Sequence, residues 1–593
     1  MSDRAAHCLV EEGLEHHKAG RLDAAERCYR EALELDANDA RATHLLGVIC
    51  LQCGRYESAL RHIERSIALD PTVAFYHSNL AEAFRGLSRL EEAIAACRRS
   101  LELDAGDPSA WNNLGIALAE SGRYEEATAA WRRCNELAPD DGRYYTHLGI
   151  SLHEQGRLAE AIACLERAIA ASPQMEAPYA ALLGSLKAHE LTSPAVLYQQ
   201  HLRFAARFAE PLKSAIRPHE NRPDPDRVLR IGYVSPDFRE HSVAWFLEPI
   251  LEHHDRGGFH VCFYSNTRRR DDVTGRFVAL ADVFRDIVAM TDEQAAELIR
   301  ADGIDILVDL AGHTAGGRWL IFARKPAPVQ VSYLGDACTS GLSTMDYRIT
   351  DGRADPPGMT ERFHTERLAR LPRPFLCYRP PATAPAVGAL PADREGHITF
   401  GSFNQVPKLT PVVLDTWARI LLAVPDARLL LKSQALGWGS VAERVVARFE
   451  VQGVPRSRLT LMGRQPRIED HLAVYSRVDI ALDSFPYNGT TTTCEALWMG
   501  VPVIALAGDS HISRVGVSIL GGVGLEELIA ATREDYARLA AQLAGDRQRL
   551  RRLRGDLRER LSRSPLLDGS GFARALEAEY RRMWRQWCAA RHD

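Results

Sequence analysis

The sequence predicts an α-helical solenoid followed by an α/β unit with two Rossmann-like lobes, and three observations carry that reading. A dipeptide recurs with a 34-residue period through the first 173 residues. Prolines then accumulate at Pro211, Pro218, Pro223 and Pro225, where helical periodicity stops. Beyond residue 226 the pattern switches to short β-branched runs alternating with amphipathic stretches, twice in series. The expected domains are five repeats over 1–173, a helical linker over 174–226, a first lobe over 227–385, and a second lobe with closing helices over 386–593.

The repeat is read from its fixed points. Gly20-Arg21 returns as Gly54-Arg55, Gly122-Arg123 and Gly156-Arg157, with Ser88-Arg89 in the remaining place. Four residues after each arginine stands an alanine: Ala25, Ala59, Ala93, Ala127 and Ala161. A stop follows at Asp70-Pro71, Asp104 to Pro108, Pro139 and Ser172-Pro173. Each unit therefore reads helix, turn, helix, stop. Glycine at the turn takes the positive φ that ends the first helix. Small residues such as Gly47 and Ala59 let the two helices approach closely. The period resembles that of tetratricopeptide repeats. One unit cannot bury its apolar face alone, so the units are expected to stack into a right-handed solenoid with a concave groove. Such a groove suits a peptide or partner protein; a spacer or dimerisation arm is the plainer use.

Composition narrows the class. Net charge is -5 with both signs interspersed, which gives no basic stripe for nucleic acid. No apolar run approaches the ~18–20 residues of a membrane helix. Met1 to Glu12 holds acids and no apolar signal core, so the expected compartment is the cytoplasm. The 12 cysteines are scattered, mostly at helix-core positions, as suits reduced thiols. Cys50 and Cys53 form a CxxC without a second pair nearby and read as packing rather than as a zinc site.

In the first lobe, strands are expected at Val228–Ser235, His260–Ser265, Ile304–Leu310, Val329–Leu334 and Tyr347–Thr350, with a helix from Ser242 to His254. In the second they are expected at Ile398–Phe403, Arg428–Lys432, Leu459–Met462, Ile480–Asp483 and Val501–Leu506. Alternation of this kind means parallel sheets with crossover helices, and ligands bind beyond the carboxyl ends of such strands. Charged helices over 526–562 and 571–588 should close the second lobe and return toward the first.

The candidate site residues follow from those strand ends. Asn488-Gly489 allows a turn after the strand ending at Asp483, and Thr490, Thr491, Thr492 and Thr493 then open a helix. A helix start offers unpaired N–H groups and partial positive charge, which suits phosphate. Four β-branched threonines exceed the needs of one N-cap. Glu495, one turn further, is placed to accept ribose hydroxyls. Gln405 and Lys408 lie at the mouth of another strand, where Lys408 can neutralise a diphosphate leaving group. His471, after Pro466, is a candidate for phosphate or base contact. On the facing lobe His241 follows the first strand and can orient an acceptor hydroxyl or take its proton. His313 and Thr339 are further candidates for acceptor or sugar contact. No acidic pair in the cleft loops suggests a metal site; Asp224 and Asp226 lie in the proline-rich linker.

These motifs together resemble the O-GlcNAc transferase and SPINDLY family. The resemblance rests on the repeats, Leu229 to His241, Arg324 to Gln330, Asp346 to Asp351, Phe403 to Gln405 with Lys408, and Asn488 to Glu495. It implies a GT-B fold, inversion at the sugar carbon, a Ser/Thr protein acceptor and no metal or other cofactor. It also implies that His241 stands near the acceptor, Gln405 and Lys408 hold diphosphate, His471 lies near the nucleotide, Thr491 and Thr492 cradle phosphate, and Glu495 holds ribose. Animal-type O-GlcNAc transferases carry His where this chain has Thr490 and Asp where it has Glu495. The Thr490 to Glu495 run is more similar to the SPINDLY branch, which uses GDP-fucose, so both UDP-GlcNAc and GDP-fucose are candidate donors. A non-catalytic repeat scaffold that binds nucleotide-sugar, and a transferase acting on a small molecule or glycan, are the competing functions.

Overall fold

A computed structural model describes residues 2–591 and divides the chain between Pro178 and Tyr179 into two compact units. Among the described residues, no helix is long and apolar enough to cross a membrane.

The first unit consists of helical hairpins on the predicted period. The second helices of the repeats, Leu22–Leu35, Tyr56–Leu69, Leu90–Leu103, Tyr124–Leu137 and Leu158–Ala171, begin 34 residues apart. Their first-turn alanines, Ala25, Ala59, Ala93, Ala127 and Ala161, are fully buried against the partner helix. Close approach is obligatory at Gly115, where an added Cβ would stand 2.7 Å from Cε2 of Trp131. The hairpin turns have positive φ at Gly20, Gly54, Gly122 and Gly156, and at Ser88, whose φ of 61° takes a side chain into the left-handed region.

The second unit begins with helical linker elements, including Pro194–Phe204. Its first sheet contains β1 (Leu229–Ser235), β2 (Phe259–Ser265), β3 (Val283–Asp286), β4 (Ile306–Asp309), β5 (Val329–Ser332), β6 (Tyr347–Asp351) and β7 (Arg367–Leu371). All pairings are parallel, in the order β3-β2-β1-β4-β5-β6-β7. The second sheet contains β8 (Thr399–Ser402), β9 (Arg428–Lys432), β10 (Leu459–Met462), β11 (Ile480–Leu482), β12 (Val503–Leu506) and β13 (Ile529–Ala530). It is also parallel, in the order β10-β9-β8-β11-β12-β13. Strand order reverses between β1 and β4 in one sheet and between β8 and β11 in the other. These reversals open the crevices where doubly wound sheets receive ligands.

β3, β7 and β13 were not among the predicted strands, and all three are sheet edges. An edge strand buries less side-chain surface and lacks a strong apolar run; the β3 segment Val-Phe-Arg-Asp has no fully buried residue. The interior strands, buried on both faces, have apolar runs that stand out; the edge strand β10 was also expected, because its Leu-Thr-Leu-Met run is apolar although half-buried.

The C-terminal helix Arg533–Gly545 packs on the second sheet and Arg547–Ser562 on that helix and on the helix Thr491–Trp498, whereas Gly569–Ala589 returns to the first lobe. There Trp584 Nε1 donates to Asp224 O at 2.9 Å and His254 Nδ1 lies 2.8 Å from Glu577 Oε1. One buried apolar cluster runs from Leu229 through both sheets to Cys588.

The strained turn makes a test. Ser88→Gly removes the Cβ from a left-handed residue, where a non-glycine side chain costs ~1–2 kcal/mol, against ~0.5–1 kcal/mol of added unfolded-state entropy. The expected result is a small rise in the urea midpoint of the repeat unit. A fall in midpoint would show that the Ser88 side chain contributes more than its strain costs.

Candidate functional site

The carboxyl ends of both sheets open on one cavity of about 370 Å³. His241 reaches it from the β1 exit and Leu334 and Gly335 from β5. Phe403, Gln405 and Lys408 come from β8, Tyr487 and Thr490 to Thr492 from β11, and His511 from β12. The two reversal points thus supply most of the lining.

Lys408 ends a single 3-10 turn, Val406–Lys408. Its Nζ donates to Asn488 O at 2.8 Å and lies 3.6 Å from the centroid of the Tyr487 ring. Burial pushes its pKa down to about 8, with the nearby carboxylate of Asp483 opposing. Asp483 is 2% exposed just after β11. Its Oδ1 accepts from Gly489 N at 2.7 Å, Ser484 N at 2.9 Å and Asn404 Nδ2 at 3.4 Å, while Oδ2 is buried without a hydrogen-bond partner. Burial raises the Asp483 pKa; the amides and Lys408 act against that rise.

The turn held by Asp483 launches the helix Thr491–Trp498, with Thr490 at its N-cap position. The first backbone N–H to find a carbonyl one turn back is that of Cys494, bonded to Thr490 O at 3.2 Å. Helix geometry therefore leaves the amides of Thr491 to Thr493 without intrahelical acceptors. Thr490, Thr491 and Thr492 line the cavity. Thr493 does not; its hydroxyl donates to Gly489 O at 3.2 Å, and it is 2% exposed. Asn488 is also spent on the protein. Its Nδ2 donates to Ser484 O at 2.9 Å and its Oδ1 accepts from Gly516 N at 3.2 Å. Asn488, Gly489 and Thr493 build the wall behind the site rather than its face.

Glu495 and His471 come together beside the cavity, 2.8 Å apart from Oε2 to Nε2. Lys432, at the end of β9, bonds to His471 Nδ1. An ammonium can only donate, so Nδ1 accepts and Nε2–H donates to Glu495. Tyr475 OH joins the group at 3.1 Å from Thr492 O and 3.3 Å from Glu495 Oε2. Burial pushes the Lys432 pKa down to about 8.

His241 is the N-cap of helix Ser242–Leu251, with Nδ1 3.3 Å from Val243 N and 3.5 Å from Asp237 Oδ2. Its side chain is 37% exposed. Burial lowers its pKa and Asp237 opposes.

His313 and Thr339 do not reach the cavity, contrary to expectation. His313 is 4% exposed, with Nε2 2.7 Å from Ser340 O and its ring against His201, Phe204 and Trp319. Thr339 is 3% exposed and donates to Glu366 Oε2 at 2.6 Å. The reasons are local: Asp309 captures the amides of Ala311 at 2.9 Å and Gly312 at 3.0 Å, curling the β4 exit that carries His313, while buried Glu366 holds the Thr339 hydroxyl and Ser340 N after β5. Both residues brace the loop that presents Gly335.

Sequence reasoning missed Lys432, Asp483, Tyr487 and His511. Lys432 and Asp483 left a signal, since each puts a charge at the carboxyl end of an apolar strand. Tyr487 and His511 left none. Among the described residues, the grouping of metal-ligand types within reach of one another is Glu12, His16 and Cys28, in the repeats. It includes neither Cys50 nor Cys53.

The depressed lysine gives a pH dependence. In the empty site Lys408 loses its proton near pH 8, whereas a bound diphosphate favours the ammonium. Above pH 8 nucleotide binding should therefore take up a proton and weaken, approaching about tenfold per pH unit. Calorimetry at pH 9 in buffers of different ionisation heat measures that uptake; zero uptake would exclude Lys408 as the diphosphate's partner.

The profile of glycosyl transferase family 41 matches residues 211–378 and 383–576, and that of the tetratricopeptide repeat matches 10–74, 54–108, 78–134 and 112–176. Over 396 residues the chain is 45% identical to a Petunia hybrida protein described as probable UDP-N-acetylglucosamine–peptide N-acetylglucosaminyltransferase SPINDLY, covering 66% of this chain and 42% of that one. Identity is 32% over 375 residues to the corresponding SEC protein of Arabidopsis thaliana, covering 61% and 38%. The chain thus spans less than half the length of these curated relatives. A mutant O-GlcNAc transferase of Thermobaculum terrenum superposes with a TM-score of 0.82 at 39% identity, covering 88% of this chain and 99% of that one.

Proposed function

The chain belongs to glycosyl transferase family 41, and on that premise we propose that it transfers a sugar from a nucleoside diphosphate to Ser or Thr hydroxyls of proteins, with inversion. The supporting observation is that one cavity gathers Lys408, Gln405 and the Thr490 to Thr492 helix start from one lobe and His241 from the other. The diphosphate would lie on the amides and hydroxyls of Thr491 and Thr492, with Lys408 against its developing charge and Gln405 at the rim. Glu495 and His471, joined to Lys432, would hold the ribose and base end. As the acceptor oxygen bonds to the anomeric carbon, the bond from that carbon to phosphate oxygen breaks. Fixed charge aimed at the departing oxygen lowers the barrier because it needs no reorganisation. His241, fixed at its helix start, would orient the acceptor hydroxyl.

Neutralisation by Lys408 and helix amides rather than by a divalent ion fits the cavity, whose lining includes no carboxylate. UDP-GlcNAc is the leading donor, in line with the activity for which the relatives are named. GDP-fucose is the second reading, favoured by Thr490 and Glu495 and by greater identity to the SPINDLY protein than to SEC. The groove of the repeats would take the polypeptide acceptor, with no nucleic acid or membrane involved.

Mass spectrometry of acceptor proteins incubated with each donor tests the activity and identifies the sugar. Lys408→Ala should lower transfer at least ~10²-fold while the melting profile stays cooperative; near-normal turnover in the folded variant would remove Lys408 from the mechanism. Removal of residues 1–178 should reduce protein modification more than donor hydrolysis. Equal loss of both would make the repeats a structural support instead of an acceptor groove.

A further inference from the structure

His511 lies in the short turn His511–Ser513 after β12 and lines the cavity with a side chain only 3% exposed. Its Nδ1 is 2.6 Å from Oδ2 of Asp355, which comes from the opposite lobe just beyond β6 and has no exposed side-chain surface. Thr350 donates its hydroxyl to the same oxygen. Burial works against the charge on Asp355, but His511 and Thr350 outweigh it and hold the carboxyl far below the ordinary range. An ionised carboxylate only accepts, so Nδ1 carries the proton that faces it, and in the neutral ring Nε2 is the acceptor. The ring is further fixed edge-on to Phe375, with centroids 4.8 Å apart. Among the described residues, Nε2 has no hydrogen-bond partner.

The place of this acceptor in the cavity is defined by its neighbours. Ile512 O, next in the chain, accepts from Asn488 N at 3.1 Å, and Lys408 Nζ is bound to Asn488 O at 2.8 Å. His511 therefore stands beside the turn that begins the phosphate helix. Glu495 lies further along that helix, bonded to His471 from a neighbouring one, where the nucleotide end is assigned. The side chains of Phe375, Leu376 and Val515, which share the His511 wall, offer no hydrogen bonds. A polar group arriving there has His511 to bond with, and an unmet acceptor among apolar walls is costly.

We propose that His511, oriented by Asp355, accepts a hydrogen bond from a hydroxyl of the donor sugar and so helps select that sugar. The assignment rests on the transferase reading above. Asp355 is a positioning residue: it fixes the tautomer and touches no substrate.

The test uses the full chain and two classes of probe, free nucleoside diphosphate (UDP, GDP) and nucleotide-sugar (UDP-GlcNAc, GDP-fucose). His511→Leu should bind the preferred free diphosphate within about twofold of the parent, yet raise the donor KM by ~10-fold or more, since only the sugar bond is lost. His511→Gln, which keeps an acceptor, should recover part of that loss. Asp355→Asn, which can donate to Nδ1 and so turn Nε2 into a donor, should impair the sugar contribution and spare the diphosphate. A deoxy donor lacking the recognised hydroxyl should be discriminated by the parent and not by His511→Leu. Unchanged donor KM and selectivity in His511→Leu would overturn the assignment. Parallel loss of diphosphate affinity and melting temperature would overturn it in favour of a latch between lobes. A fall in kcat alone, with loss of the acid limb of the pH profile, would overturn it in favour of a general base. If the parent binds no nucleotide-sugar at all, the transferase reading fails first.

Discussion

Asp483 is a carboxylate enclosed where water cannot solvate it, and the site is arranged around that constraint. One oxygen is occupied by the amides of Ser484 and Gly489 and by Asn404. Those bonds curl the chain after β11 and point the helix Thr491–Trp498 at the cavity. The balancing charge is Lys408, which reaches the same turn through Asn488 O. A buried carboxylate beside a buried ammonium is costly to form and costly to break singly. Burial, which Asp483 offsets only in part, leaves Lys408 near its titration point, so a third charge entering the cavity shifts its protonation.

The parallel sheets explain why these groups face the same space. In a parallel sheet every strand ends on the same side, and a crossover returns the chain to the other side. Reversal of strand order leaves two neighbouring exits unobstructed by a shared crossover. The β8 and β11 exits carry Lys408 and the threonine run, and the β1 exit carries His241. The neighbouring β4 exit is closed off by Asp309, which turns His313 into packing beneath the Gly335 loop.

The two lobes are stitched as well as opposed. Asp351, after β6, accepts from Phe375 N in its own lobe and from the Ser518 hydroxyl in the other. Arg514 Nε donates to Arg353 O at 2.9 Å, and Asp355 meets His511 a few residues on. The segment from Asp351 to Asp355 therefore fixes how the second lobe presents its β12 exit. These contacts join the cavity wall to the framework that closes it, so a change in either is felt by the other.

The sequence by itself determined the repeat period, the interior strands and the threonine-rich helix start. Each is a local matter of periodicity, turn chemistry or capping, written in neighbouring residues. It also marked Lys408, Gln405 and His241, because a polar residue just past an apolar strand has few places to go. Only the tertiary structure decided which of those residues share a space. Asn488 and Thr493 stand in the same run as Thr491, yet Ser484 and Gly516 hold the Asn488 side chain, and the helix phase turns Thr493 into protein. His313 follows a strand as His241 does, yet Asp309 pulls its loop inward. The pairs Lys408 with Asp483, His471 with Lys432 and His511 with Asp355 join segments between 39 and 156 residues apart. Contacts at that separation leave no periodicity in the chain and arise only when crossovers bring strand ends together.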